Sequence, residues 1–415
     1  MNTSVNGFRQ RRAERLIEES LSDTRVVLVN GARQVGKSTL ARQVARRHQG
    51  LWRTFDNPQT LSEAKFDPLD FVRADSMLVI DEVQRYPEIL LPIKLRVDED
   101  QRAGAFLLTG SAHVMGLRAI PDALPGRVET IELWPFSQGE IDGEPDGFID
   151  AVFGHGVDVV SSEGRGDCVQ RVARGGFPES VARSGRRRGA FMRNYIGDLI
   201  NREVTQVAEI QRGQEFRTLV RLLAAQSGQL VVPAKLSRAT GLSQTTVSKY
   251  LAIMNEVFLI KLIPAWSRGA ASRAVKTPKL AFVDSGIACG LLGHDARALD
   301  RRETIGPLLE GFVAMELARQ ATWSDTSVQL FHYRNKDQQE VDIVLEDARG
   351  RVVGIEVKAS TTVRGEDFSG LRHLARLVGD DFLAGIVLYA GNATAHFGER
   401  LQAVPLPALW TAKAS

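Results

Sequence analysis

The stretch Gly31-Ala32-Arg33-Gln34-Val35-Gly36-Lys37-Ser38, followed by Thr39, fits the pattern GxxxxGK[ST] at every fixed position. Its chemistry is anion capture. Glycines let the backbone turn its N–H groups toward phosphate oxygens, and a following helix adds its positive end. In such a loop Lys37 reaches the β- and γ-phosphates and the Ser38 hydroxyl ligates magnesium. Hydrolysis needs acids as well. Met77-Leu78-Val79-Ile80-Asp81-Glu82 is an apolar run ending in two of them. Asp81 is suited to hold magnesium through water, and Glu82 to polarise the attacking water. Leu107-Leu108-Thr109-Gly110-Ser111 is a second apolar run with polar residues at its end, and Ser111 is favoured over Thr109 as a γ-phosphate contact. Arg127, in Pro125-Gly126-Arg127, is placed to stabilise transition-state charge, in cis or from a neighbouring subunit of a homo-oligomer.

These residues need a sheet to hold them. Val26–Val29, Met77–Ile80, Ala105–Leu108 and Val128–Leu133 read as buried strands alternating with helical stretches, among them an amphipathic helix from Phe8 to Leu21. That pattern predicts an α/β domain with a parallel sheet over residues 1–136, and parallel sheets bind ligands at the carboxyl ends of their strands. Residues 137–167 are rich in Gly, Asp and Ser and read as a linker with room for one short helix. Residues 168–300 have helical periodicity. Residues 301–415 form a second α/β block, with a helix at Pro307–Gln320 and strands at Val328–Tyr333, Val341–Glu346, Val352–Lys358 and Leu383–Tyr389.

Composition narrows the class. In 415 residues, 43% are hydrophobic and 25% charged, which is globular and argues against disorder. The net charge of +3 is too small to declare a nucleic-acid binder by itself, and the excess of arginine over lysine is put down to composition. Cys168 and Cys289 cannot build a disulfide framework or a cysteine-rich zinc site, which suits a reducing compartment. No apolar run is long enough for a membrane helix, and the first 25 residues have no apolar h-region, so a cytoplasmic protein with no membrane partner is expected.

The first block resembles an AAA-type P-loop ATPase, with Gly31–Ser38 as Walker A, Asp81-Glu82 as Walker B and Ser111 as sensor 1. More narrowly, Gly31–Lys37, Asp81-Glu82-Val83-Gln84 and Leu108-Thr109-Gly110-Ser111 are similar to a prokaryotic ATPase family with a C-terminal domain of undefined function. The resemblance covers nearly the whole chain. It continues at Gly175-Gly176-Phe177-Pro178-Glu179 and at Lys279–Gly286, where Ala281 stands at an aromatic position of the pattern. At Arg202-Glu203 the chain departs from an Arg-Asp pair. The resemblance implies ATP and Mg2+ as ligands and leaves the cellular role open.

The other blocks carry weaker signals. Val232-Pro233 opens a helix through Thr240, Gly241 turns, Ser243 caps, and Gln244–Asn255 forms a second helix with Val247, Leu251 and Met254 inward. Phe258–Ile260 and Pro264–Trp266 suggest wing strands. This reads as a winged helix that would present Gln244, Thr245, Ser248 and Lys249 to DNA bases and Arg268, Arg273, Lys276 and Lys279 to phosphates. Arg186-Arg187-Arg188 reads as a solvated basic face. In the last block a hairpin would bring Asp342, Glu356 and Lys358 to one face, with Glu310 on the preceding helix as a further ligand and Arg334 as a phosphate contact. Two acids can hold magnesium and a lysine can orient water for phosphodiester attack. The set resembles the PD-(D/E)xK nuclease fold. His332 and His373 have no partner at ligand spacing. Three functions follow: a magnesium-dependent ATPase that controls the C-terminal region, an ATP-gated nuclease, and a non-enzymatic DNA-binding regulator that uses ATP as a ligand.

Overall fold

The computed structural model describes residues 9–111, 124–199, 213–269, 273, 277–300 and 305–414. Phe8, Arg202-Glu203 and Lys276 lie outside the described residues. The chain divides into two compact units. One runs to Pro135 and includes Glu256–Phe258, and the other comprises Phe136–Asn255 and Leu259 onward.

The first unit is built on a sheet of β1 (Val26–Asn30), β2 (Leu51–Thr54), β3 (Leu78–Asp81), β4 (Phe106–Gly110) and β5 (Val128–Glu132), in the order β2-β3-β4-β1-β5. All pairs are parallel. β1, β3 and β4 are buried along their whole length, as unbroken apolar runs in a covered parallel sheet should be. Helix α1 (Ala13–Asp23) buries Ala13, Ile17, Ser20 and Leu21, one turn apart on a single face. Helix α2 (Lys37–Arg47) does the same with Leu40, Ala41, Val44 and Ala45. β2 has no counterpart in the sequence reading. It is an edge strand, Leu-Trp-Arg-Thr, half exposed, and so lacks the apolar run that marks its neighbours.

The second unit joins the helical middle and the C-terminal sheet into one body. Helices Gly213–Ala225, Pro233–Thr240 and Gln244–Glu256 are followed by the antiparallel pair β6 (Ile260–Ile263) and β7 (Lys279–Phe282), to which Leu230 adds a bridge at Lys279. The hairpin therefore uses Lys279–Phe282 as its second strand, not Pro264–Trp266. A mixed sheet follows, made of β8 (Val328–Arg334), β9 (Glu340–Asp347), β10 (Val352–Lys358), β11 (Phe382–Tyr389), β12 (Ala395–His396) and β13 (Leu401–Pro405), in the order β12-β13-β11-β10-β9-β8. β9 and β10 form the expected antiparallel hairpin, while β10, β11 and β13 run parallel.

Residues 137–167 are not a bare linker. They form the helices Gln138–Asp142 and Phe148–Phe153, with Ile141, Phe148, Ile149, Val152 and Phe153 buried. The cause lies far along the chain, on the helix Ile305–Trp323. There the buried Glu316 accepts from the Gln138 N–H at 2.9 Å, and Gln320 accepts from the Ile149 N–H at 3.4 Å. Two sequence motifs also meet in this unit. The buried Asp284 carboxylate accepts from the Gly176 N–H at 2.6 Å and caps the helix Ser285–Leu292 through the Ile287 N–H at 3.0 Å. A Cβ on Gly175, which sits at φ +66°, would fall 2.2 Å from that carboxylate. The glycine pair is thus required by close approach.

Candidate functional site

The phosphate loop leaves the carboxyl end of β1 and enters α2 through Gly36, whose φ of +101° suits glycine. Gln34 is also left-handed, at φ +61°. Lys37, 5% exposed, donates from Nζ to the carbonyls of Gly31 and Ala32, both at 2.8 Å. Those bonds aim the ammonium into its own loop. Arg33, Gln34 and Thr39 are exposed, and Ser38 is half-buried. The base of the loop is braced by residues that the motif does not contain. Asn30 Oδ1 accepts from the Gly31 N–H at 2.9 Å. The buried Arg11 guanidinium donates to the carbonyls of Val35 (2.8 Å) and Trp134 (2.5 Å). Arg11 was not legible as a site residue, because its partners are backbone atoms 24 and 123 positions away.

Asp81 ends β3, at the same end of the sheet. Its carboxylate is 4% exposed and accepts from Thr109 Oγ1 at 2.6 Å and Thr54 Oγ1 at 3.2 Å. Glu82 follows in a left-handed conformation, φ +60°, which turns the chain away from the strand. Its N–H donates to Thr109 Oγ1 at 3.2 Å, and its Oε2 accepts from Gln84 Nε2. Gln84 Oε1 in turn accepts from the Ser111 N–H at 3.2 Å. Thr109 therefore positions the two acids. The Ser111 hydroxyl is buried and has no hydrogen-bond partner among the described residues, an orphaned donor at the carboxyl end of β4.

Arg127 is at the other end. It precedes β5, its carbonyl accepts from the Val26 N–H at the start of β1, and its guanidinium binds Asp98 and the Pro125 carbonyl. Five strand residues, about 16 Å, separate it from the phosphate loop. That places Arg127 at the end of the sheet opposite the phosphate loop, which argues against a role in cis.

In the second unit the structure brings together Glu310, Asp342 and Glu356, and adds two residues that the sequence reading placed elsewhere or passed over. Lys279 Nζ lies 2.9 Å from Glu340, 3.0 Å from Asp342 and 3.6 Å from Glu310. Asp342 also accepts from the Val357 N–H at 3.0 Å, which fixes it beside Glu356 on the hairpin. Burial opposes charge on Lys279, yet Asp342, Glu310 and Glu340 outweigh it and hold the ammonium above its usual range. Burial, then the Asp342 charge, pushes Glu310 up to about 8. The same two causes hold Glu356 well above the usual carboxylate range. Lys358 stands at the rim, 4.0 Å from Glu356 and 3.7 Å from Asp367. Among the described residues, no group of three His, Cys, Asp or Glu is arranged to hold a metal ion.

Two of the cations assigned to a DNA-facing loop, Lys279 and Arg273, are used internally. Lys279 is 3% exposed within the acids. Arg273 makes a two-pronged pair with Glu346 at 2.6 and 2.9 Å and lies over Phe331, and Arg268 donates to the Val378 carbonyl. Arg334 binds Glu340 and Gln338, so its guanidinium is also taken. Arg186 and Arg187 are exposed, while Arg188 donates to the carbonyls of Ser180 and Arg183. On the helix Gln244–Glu256, Gln244, Thr245, Ser248 and Lys249 are exposed and Val247, Leu251 and Met254 are buried, with Ser243 capping the Thr246 N–H at 3.1 Å. His332 hydrogen-bonds the Thr277 carbonyl and His373 bonds Tyr333, as ordinary packed side chains. Cys168 and Cys289 are buried thiols. No described helix is long and apolar enough to cross a membrane.

Residues 23–142 match the family described as AAA domain, residues 165–298 a domain of unknown function (DUF8612), and residues 305–409 a domain of unknown function (DUF4143). The chain is similar to the uncharacterized proteins Rv2008c of Mycobacterium tuberculosis and Mb2031c of Mycobacterium bovis. It is 28% identical to each over 355 residues, which is 85% of this chain and 74% of theirs. Among solved structures it is similar to the Walker-type ATPase PABY2304 of Pyrococcus abyssi, at 16% identity and a TM-score of 0.41, over 68% of this chain and 95% of that one.

Proposed function

From the premise that the chain carries an AAA-type domain at its N-terminal end and a DUF4143 domain at its C-terminal end, we propose that it binds magnesium-ATP and hydrolyses it, and that nucleotide state controls the C-terminal region. One observation carries the reading. Lys37, Asp81, Glu82 and the orphaned Ser111 hydroxyl all sit at the carboxyl ends of adjacent parallel strands β1, β4 and β3. Bound ATP would supply the phosphoanhydride and magnesium the charge that its oxygens need. The loop N–H groups from Gly31 to Ser38 and the end of α2 bind the anion, with Ala32, Arg33, Gln34, Val35 and Thr39 contributing backbone. Ser38 and Asp81 are the residues suited to magnesium. Glu82 accepts the proton of the attacking water, Gln84 holds it until then, and Ser111 donates toward the γ-phosphate.

The route to the rest of the chain starts at the loop itself. The Leu133 N–H donates to the Asn30 carbonyl at 2.7 Å, a Cβ on Gly31 would lie 2.2 Å from the Leu133 carbonyl, and Arg11 ties Val35 to Trp134. The segment leaving β5 therefore cannot ignore a change in the loop. ATP turnover by the full chain tests the proposal. Lys37→Ala should lower ATP affinity by about 100-fold. Glu82→Gln should keep binding and slow turnover about 10²–10⁴-fold. Equal turnover by wild type and Glu82→Gln would overturn it.

A second reading, DNA contact, has the exposed polar face of the helix Gln244–Glu256 in its favour, set in a three-helix and hairpin arrangement that fits a winged helix. Binding to duplex DNA that weakens with salt and with Lys249→Glu would support it, and indifference to both would remove it. Cleavage of DNA is the weaker alternative, since Lys279 sits among the acids that would have to accept magnesium.

A further inference from the structure

We infer that Glu310, Glu340, Asp342 and Glu356 form a cation site whose resident cation is the ammonium of Lys279, a side chain of the same polypeptide, and that this occupant keeps divalent ions out.

The geometry has four parts. Glu310 comes from the helix Ile305–Trp323, Glu340 and Asp342 from β9, and Glu356 from β10. Oxygens of the first three converge on one point, the Nζ, at 3.6, 2.9 and 3.0 Å. Lys279 is the first residue of β7, paired with Ile263 and bridged to Leu230, so its backbone is pinned between the middle helices and the sheet. Its side chain is 4% exposed. A buried ammonium surrounded by acids is stable only because the acids are there, and acids so close together are relieved by a cation between them or by taking up protons. A divalent ion would make the same use of the oxygens at about 2.0–2.6 Å, so the side chains would have to contract around it. Lysine and metal are therefore alternatives at one place. The one that is covalently tethered needs no binding step and wins at ordinary metal concentration.

This also accounts for the motif Lys279–Gly286. Its lysine serves the acids of the C-terminal sheet, and its aspartate, Asp284, clamps Gly176, so that one short segment fastens both sides of the unit.

The test is Mn2+ binding to nucleotide-free full-length protein, read as loss of the free-ion paramagnetic signal. Wild type and Asp342→Asn should bind Mn2+ alike. Lys279→Ala should gain one Mn2+ per chain, lost again in Lys279→Ala/Asp342→Asn, and Mn2+ should raise its melting temperature while leaving that of wild type unchanged. If Lys279→Ala does not fold, Lys279→Ala/Glu310→Gln, with one acid fewer, should fold and gain the same site. Mn2+ binding by wild type that Asp342→Asn abolishes would overturn the inference, because metal would then displace the lysine. So would a folded Lys279→Ala or Lys279→Ala/Glu310→Gln protein that gains no site.

Discussion

The two units each bury a lysine, and the two lysines are held in opposite ways. Lys37 donates to carbonyls five and six residues before it, in the loop that it belongs to. Carbonyl oxygens carry no net charge, so those bonds orient the ammonium without neutralising it. Lys279 is held by carboxylates 31 to 63 residues further along the chain, on two separate elements. Carboxylates neutralise as well as orient. A lysine held by its own backbone is prepared to meet an anion, whereas a lysine held by acids from elsewhere joins the elements that carry them. The same residue type thus marks a ligand site in one unit and a fastening in the other.

A pair of substitutions should separate these roles. Lys37→Met should lose ATP binding and change stability by less than about 1 kcal/mol. Lys279→Met should keep ATP binding and cost about 3–5 kcal/mol of stability, the usual result of stripping one partner from a buried ion pair. Chemical denaturation and nucleotide titration on the same preparations check both, and the contrast fails if Lys279→Met loses nucleotide affinity while folding normally. Ser111→Ala is a smaller step. It should slow turnover on the order of tenfold with KM little changed, since it removes one hydrogen bond to the γ-phosphate. An unchanged kcat would leave the orphaned hydroxyl without a role.

The smallest effect is a pH dependence peculiar to the second unit. Glu310 has its pKa raised by folding, to about 8, through burial and the charge of Asp342. The native state therefore holds a proton that the unfolded chain releases. The stability from this group is complete below the unfolded carboxyl range and falls as pH rises through about 8, by at most about 1.4 kcal/mol per pH unit. Glu310→Gln should flatten the fall in melting temperature between about pH 4.5 and 8. A slope identical to wild type would mean that Glu310 does not carry that proton.

Legibility followed the same division. Strands β1, β3 and β4 were readable because a strand covered on both faces is apolar throughout, and the loop residues Gly31 to Ser38 because phosphate chemistry needs them in one contiguous stretch. The helix Pro233–Thr240 was bounded by its own proline and glycine. The edge strand β2 was not readable, since half of it faces water. The segment 137–167 looked like a linker because its composition is polar, and the partners that fold it, Glu316 and Gln320, lie about 170 residues away.

The sequence by itself determined the phosphate loop, the acids at the end of β3 and the hairpin of Asp342 and Glu356, because in each the chemistry depends on residues close in the chain. Tertiary structure alone decided how the charges are used. It set Arg127 at the far end of its sheet, turned Arg273 onto Glu346 and Phe331, and placed Lys279 among three acids. The physical reason is that a side chain's charge is fixed by its type, but what that charge meets depends on which distant elements pack against it.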